Sequence, residues 1–178
     1  MGRDKALLTL PNGLPLLDQT IATLQAAGAA EILVSVRPGQ TYGRPGTREI
    51  ADTTENGGPL AGLVTAFDAT QTDHIAVLAV DLPAMTPAYL RKLIARCKAT
   101  SGAVPHRDDF FEPLAAVYPR LVADSARAAL NDGRFSLQAW VLEQVEIGQV
   151  QSVEIEPTET ILFTNWNRPE DYSAADSP

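Results

Sequence analysis

Only one cysteine, Cys97, occurs in the 178 residues, so no internal disulfide can form. A lone thiol fits a reducing, cytoplasmic setting. Histidine is nearly as scarce, with two residues. His74 and His106 stand far apart with no partnering motif, which argues against a histidine-built metal centre. No apolar run approaches the ~20 residues that a membrane span needs. Arg3, Asp4 and Lys5 lead into an apolar stretch that Pro11-Asn-Gly13 breaks too early for a signal peptide. Basic residues are outnumbered, 14 Lys and Arg against 22 Asp and Glu, for a net charge of −8. That balance argues against non-specific nucleic-acid binding and against anionic membranes, but leaves room for a local basic pocket. There is no Gly-x-Ser-x-Gly elbow, no phosphate loop ending in Gly-Lys-Ser/Thr and no Gly-x-Gly-x-x-Gly.

What is present reads as alternating strands and helices. Residues 1–172 are expected to form a single domain with a sizeable core, and 173–178 a flexible tail. Leu17, Ile21 and Leu24 fall at helical spacing before Gly28, a natural stop. Glu31 to Val36 reads as a buried strand, 37–47 as a Gly- and Pro-rich loop, and Arg48 to Ala51 as a short strand before Asp52. A helix is predicted from about Pro59 to Ala69. Ile75 to Val80 is the most apolar run, read as a buried parallel strand ending at Asp81. Thr86-Pro87 starts a helix whose apolar face carries Tyr89, Leu90, Leu93, Ile94 and Cys97. Strands are predicted at 102–105, 114–118, 151–155 and 161–163. Helices are predicted around Leu121 to Leu130 and after Ser136. The alternation implies a mainly parallel sheet covered on both faces, with one antiparallel strand near the C-terminal half.

Two features point to chemistry. In open α/β sheets, ligands gather at the carboxyl ends of the strands. Asp81 stands at such an end and is placed to hold Mg²⁺ over a phosphate, although Asp before Leu-Pro is also a common turn. Asn56-Gly-Gly-Pro-Leu-Ala-Gly62 combines close-approach glycines with a following helix N-terminus, a place for an anion or simply a tight turn.

The order of motifs narrows the choice. Met1-Gly-Arg-Asp-Lys-Ala-Leu-Leu8, Gly58-Pro-Leu-Ala-Gly62, Val80-Asp-Leu-Pro83, Glu112-Pro-Leu114 with Tyr118, and Asn165-Trp-Asn-Arg-Pro-Glu-Asp171 occur in sequence. Together they resemble the molybdenum cofactor guanylyltransferases, over nearly the whole chain. The resemblance implies a three-layer α/β/α nucleotide-binding fold. It also implies transfer of GMP from GTP to the terminal phosphate of molybdopterin, with pyrophosphate released. Asp81 matches the metal-binding aspartate and Lys5 the phosphate-contacting lysine. Ser35, Asp52, Gly58, Pro59, Leu60 and Gly62 would line the nucleotide side. Arg107, Glu112, Pro113, Arg134, Asn165 and Asn167 would face the acceptor. Implied partners are GTP, molybdopterin, Mg²⁺ and molybdoenzyme chaperones. Alternatives are a relative using CTP or a sugar phosphate, or a non-catalytic cofactor-binding protein.

The chain departs from that pattern in two places. The family's first strand and its Leu-Ala-Gly-Gly-x-Ser-x-Arg loop precede Met-Gly-x-Asp-Lys and are not in these 178 residues. About five buried aliphatic side chains go with that strand, roughly 8–15 kcal/mol, which rivals the net stability of a domain. A chain beginning at Met1 is therefore expected to fold poorly or bind GTP badly. The other motifs are intact, which favours a start site assigned too late over a true truncation. Secondly, Ser35-Val36-Arg37 stands where members often carry asparagine, which loosens the expectation of guanine specificity.

Overall fold

The computed structural model describes residues 4–52 and 57–166. Helices α1 (Leu16–Ala27), α2 (Gly58–Ala69), α3 (Pro87–Arg96), α4 (Ala123–Asn131) and α5 (Leu137–Glu146) flank seven strands among these residues. The strands are β1 (Leu33–Val36), β2 (Arg48–Ala51), β3 (His74–Leu78), β4 (Gly102–Arg107), β5 (Phe110–Phe111), β6 (Ala115–Pro119) and β7 (Val150–Glu154). Local chemistry sets the helix ends. Gly28 closes α1 in the left-handed region at φ 100°. Thr86 and Ser136 cap α3 and α5 through side-chain bonds to the N–H of Tyr89 and Ala139.

The strands form two sheets. β1 and β2 pair in parallel, and the other sheet runs β3-β6-β4-β5 with β7 parallel to β4. β6 lies antiparallel to both β3 and β4 and is the antiparallel strand expected from the sequence. The two-residue β5, not foreseen, adds a further antiparallel pairing on β4. α2, α4 and α5 cover one face around Leu60, Phe67, Tyr118 and Trp140. α1 and α3 cover the other, with Leu17, Ile21 and Val34 in one cluster and Leu90, Leu93 and Val117 in the next. This is the expected three-layer α/β/α arrangement.

Three details correct the sequence reading. Residues 161–163 are not a strand but the end of a 3-10 helix, Pro157–Phe163. Pro157 fixes a helical φ at its start, Glu156 N–H donates to the Glu159 carboxylate at 3.1 Å, and Lys92 holds that carboxylate at 2.6 Å. Phe163 then packs edge-on against Tyr89, ring centres 5.3 Å apart. Secondly, β3 stops at Leu78 and is half-buried throughout, so Asp81 sits in a turn beyond it. Thirdly, Cys97 caps α3 rather than riding its face, and Ile94 is 45% exposed. One physical reason covers both exposures: β3, Ile94 and Cys97 border a groove of about 740 Å³ that separates the two sheets.

Candidate active site

Lys5 and Asp81 are 76 residues apart and meet at 3.0 Å, Nζ donating to Oδ2. Their side chains are 38% and 24% exposed, so the pair contributes little to stability. It concentrates two opposite charges at an accessible point beyond the end of β3. Lys5 rides on a short 3-10 turn, Lys5–Leu7, that Asp4 caps by accepting from Ala6 N–H at 3.0 Å. The other Asp4 oxygen accepts from Gln40 Nε2 at 2.6 Å and from the Tyr42 hydroxyl at 2.9 Å. Burial pushes the Tyr42 phenol up to about 12, helped by its bond to Asp4. The loop after β1 thus clamps the turn that presents Lys5. Sequence reasoning missed Asp4, Gln40 and Tyr42. Asp4 directly before the lysine was a legible cap signal, whereas the loop partners were not.

Asp81 is held from its backbone as well. Trp166 N–H donates to its C=O at 2.9 Å, which brings Asn165 to the same neighbourhood. Across the mouth lies Glu112, just after the β4–β5 hairpin. Desolvation raises its carboxyl above the ordinary range, Arg107 pulls it down, and the Asp81 charge pushes it up again. Pro113 contributes its C=O, which accepts from the Tyr118 hydroxyl at 2.8 Å. Arg134 lies elsewhere in this network. Glu143 on α5 grips its guanidinium at 2.8 and 3.0 Å, and nothing described joins it to Asp81.

A second cluster sits at the carboxyl ends of β1 and β2. Ser35 Oγ donates to Asp52 Oδ1 at 2.9 Å, beside the start of α2. A Cβ on Gly62 would lie 3.3 Å from Ser35 Oγ and 3.5 Å from Asp52 Oδ1, so Gly62 lets α2 pack against this pair. Gly58 has φ +59° and no neighbour within reach of a Cβ; it makes the turn into the helix. Pro59 is exposed beside it. Leu60 corrects the expectation: its side chain is fully buried among core residues, so only its backbone faces the helix start. Asn167, with residues 1–3, lies outside the described residues.

Among the described residues no group of three or more His, Cys, Asp or Glu could hold a metal by themselves. A divalent ion that keeps waters and takes substrate phosphates needs only one or two carboxylates, and Asp81 offers one that is partly exposed.

Comparison with solved structures shows the fold. The molybdopterin-guanine dinucleotide biosynthesis protein A of Archaeoglobus fulgidus covers 98% of this chain and 90% of its own, with TM-score 0.73 and 24% identity. The 2-C-methyl-D-erythritol 4-phosphate cytidylyltransferase of Thermus thermophilus covers 97% and 92%, also with TM-score 0.73, at 20% identity. The fold is that of the nucleotidyltransferases. At the sequence level, residues 1–147 match the MobA-like NTP transferase domain. A probable molybdenum cofactor guanylyltransferase of Opitutus terrae is 37% identical over 174 residues, covering 96% of this chain and 86% of its own. One from Deinococcus radiodurans is 33% identical, covering 97% and 85%. The chain belongs to the MobA-like NTP transferase family.

Proposed function

We propose that this nucleotidyltransferase transfers GMP from GTP to the terminal phosphate of molybdopterin and releases pyrophosphate. The observation that carries the reading is the Lys5–Asp81 pair, opposite charges 3.0 Å apart beyond the carboxyl end of β3. An acceptor phosphate oxygen bonds to the α-phosphorus while the bond from that phosphorus to the bridging β-phosphate oxygen breaks. The acceptor is already an anion, so no general base is needed, and positioning with charge neutralisation carries the catalysis.

On this reading Lys5 leaves Asp81 for the triphosphate, and Asp81 is freed to hold the metal. Bound there, Mg²⁺ would neutralise charge on the phosphates. Ser35 and Asp52 face the nucleoside, with Gly58, Pro59 and the backbone of Leu60 at the α2 N-terminus. Glu112, whose carboxyl is raised above its ordinary range by burial, and Arg107 face the anionic acceptor. Pro113 and Asn165 complete that side, and Asn167, outside the described residues, is assigned to the acceptor on the family resemblance alone. Residues 1–172 act as one domain in the cytoplasm, with molybdoenzyme chaperones as product recipients.

The test is pyrophosphate release with GTP, molybdopterin and Mg²⁺, with CTP and Mn²⁺ as comparisons. Asp81→Ala should lower turnover at least ~100-fold relative to the unsubstituted chain, the scale of losing a principal electrostatic group. Near-normal turnover rejects the assignment. Lys5→Ala should chiefly weaken GTP binding, read by calorimetry.

A further inference from the structure

Three contacts tie the segment after β7 to the stretch that carries Asp81, and they run in opposite order along the chain. Lys92 Nζ donates to Glu159 Oε1 at 2.6 Å, Phe163 packs edge-on against Tyr89, and Trp166 N–H donates to Asp81 C=O at 2.9 Å. As this strap advances from 159 to 166, its partners step back along α3 to the turn that follows β3. Lys92 stands one helical turn after Tyr89, and its ammonium also lies 5.3 Å from the centre of that ring. Tyr89 and Phe163 are buried in one cluster with Leu82 and Met85, so the apolar floor of the strap reaches the residue next to Asp81.

The strap needs these anchors. A 3-10 run of seven residues is longer than the three or four that this geometry usually sustains, because its hydrogen bonds are poorly aligned. One carboxylate joins the start of the strap to α3: Glu159 Oε2 accepts from Glu156 N–H at 3.1 Å while Oε1 takes Lys92. The ion pair, 32% and 20% exposed, adds little to overall stability. What it fixes is place.

The turn at Asp81 is weakly held by itself. Leu82 N–H reaches Ala79 C=O only at 3.4 Å. Lys5 takes one oxygen of the Asp81 carboxylate, but on the reading above it leaves for the triphosphate. Among the described residues, the Trp166 bond is then the hydrogen bond that holds Asp81 from outside its turn.

We propose that Lys92 and Glu159 are positioning residues for the reaction. Their ion pair latches the strap onto α3, and the strap sets where the Asp81 carboxylate stands and brings Asn165 beside it. This rests on the reading of Asp81 as the metal carboxylate and adds what holds it in place. Neither residue acts on substrate directly; each acts through Trp166 on the backbone of Asp81. Partners that orient a metal ligand from behind typically carry ~10–100-fold in metal affinity.

Two measurements on the 178-residue chain separate the latch from the metal site. The first is hydrogen exchange at the Trp166 amide, with the Arg120 amide, bonded to Asp73 C=O at 2.7 Å, as reference. The second is calorimetric GTP affinity with Mn²⁺ and in EDTA, whose ratio is the gain from the metal. Lys92→Ala should speed Trp166 exchange at least ~10-fold and leave Arg120 unchanged. It should also cut the Mn²⁺ gain at least ~10-fold with the EDTA affinity unchanged. Lys92→Arg should restore both. Asp81→Ala, which keeps its C=O, should abolish the Mn²⁺ gain and leave Trp166 exchange unchanged. Val141→Ala, in the core on the other face of the sheet, should lower the Tm without moving either readout. Unchanged Trp166 exchange in Lys92→Ala, faster exchange with the Mn²⁺ gain intact, no rescue by arginine, or the same losses in Val141→Ala would overturn the proposal. If Mn²⁺ gives the unsubstituted chain no gain, the metal reading of Asp81 falls, and Trp166 exchange in Lys92→Ala decides the latch alone.

Discussion

Asp4 does more for the candidate site than its position before Lys5 suggests. It caps the turn that carries the lysine and gathers Gln40 and Tyr42 around one carboxylate. Asp4→Ala should cost about 1 kcal/mol, the worth of a lost cap. It should also bring the Tyr42 titration down from about 12 toward 10, followed by tyrosine absorbance in alkali. Glu112 carries the opposite kind of perturbation. Its folded pKa lies above the ordinary value, chiefly through burial. Below the ordinary glutamate range both states are protonated and nothing is lost. Above the raised pKa, folding bears the full penalty of a desolvated charge. Glu112→Gln should therefore raise the Tm in metal-free buffer at neutral pH, and the gain should fade as pH falls through that window.

At the scale of elements, Gly102 sets how closely β4 approaches β6. A Cβ on Gly102 would lie 2.1 Å from the Val117 C=O and 2.8 Å from Pro119 Cδ. Both neighbours belong to a fully buried strand. Gly102→Ala must push β4 and β6 apart, and urea unfolding should show a loss of about 3 kcal/mol or more. α2 poses a milder version of the same problem. Gly62, expected on the nucleotide side, also allows the helix to settle on the Ser35–Asp52 pair. The 3-10 helix at Pro157–Phe163 shows how local preference yields to context. Ile161-Leu-Phe163 has strand-like composition, but a proline start and the Lys92–Glu159 pair fix a helical turn.

For the molecule as a whole, the groove divides the stability. β4, β6 and β7 lie within the larger clusters around Trp140, Tyr118 and Leu93, while β1 and β2 pack on α2 and β1 joins a smaller cluster with Ala6, Leu17 and Ile21. Native-state hydrogen exchange should show β1 and β2 opening at a lower free energy than β4 and β6. Equal protection of the two groups would mean that the sheets unfold as one unit.

Most elements were legible in the sequence because helix caps and period are local. Gly28, Thr86-Pro87 and Ser136 announce their helices, and the order of Lys5, Gly58 to Gly62 and Asp81 announces the family. Other features depend on contacts between distant segments. Asp81 meets Lys5 across 76 residues, Leu60 turns into the core, and Arg134 is drawn to Glu143. The pairing of β3 is the clearest case. Its apolar run specified a strand, but which of its residues stand opposite which of β6 follows from register, and register is a property of paired strands. The sequence alone thus determined the elements, their order and the family. The tertiary structure decided which charges meet, where a glycine lets elements pack closely and which backbone groups pair, because each of these is set by packing and pairing between residues far apart in the chain.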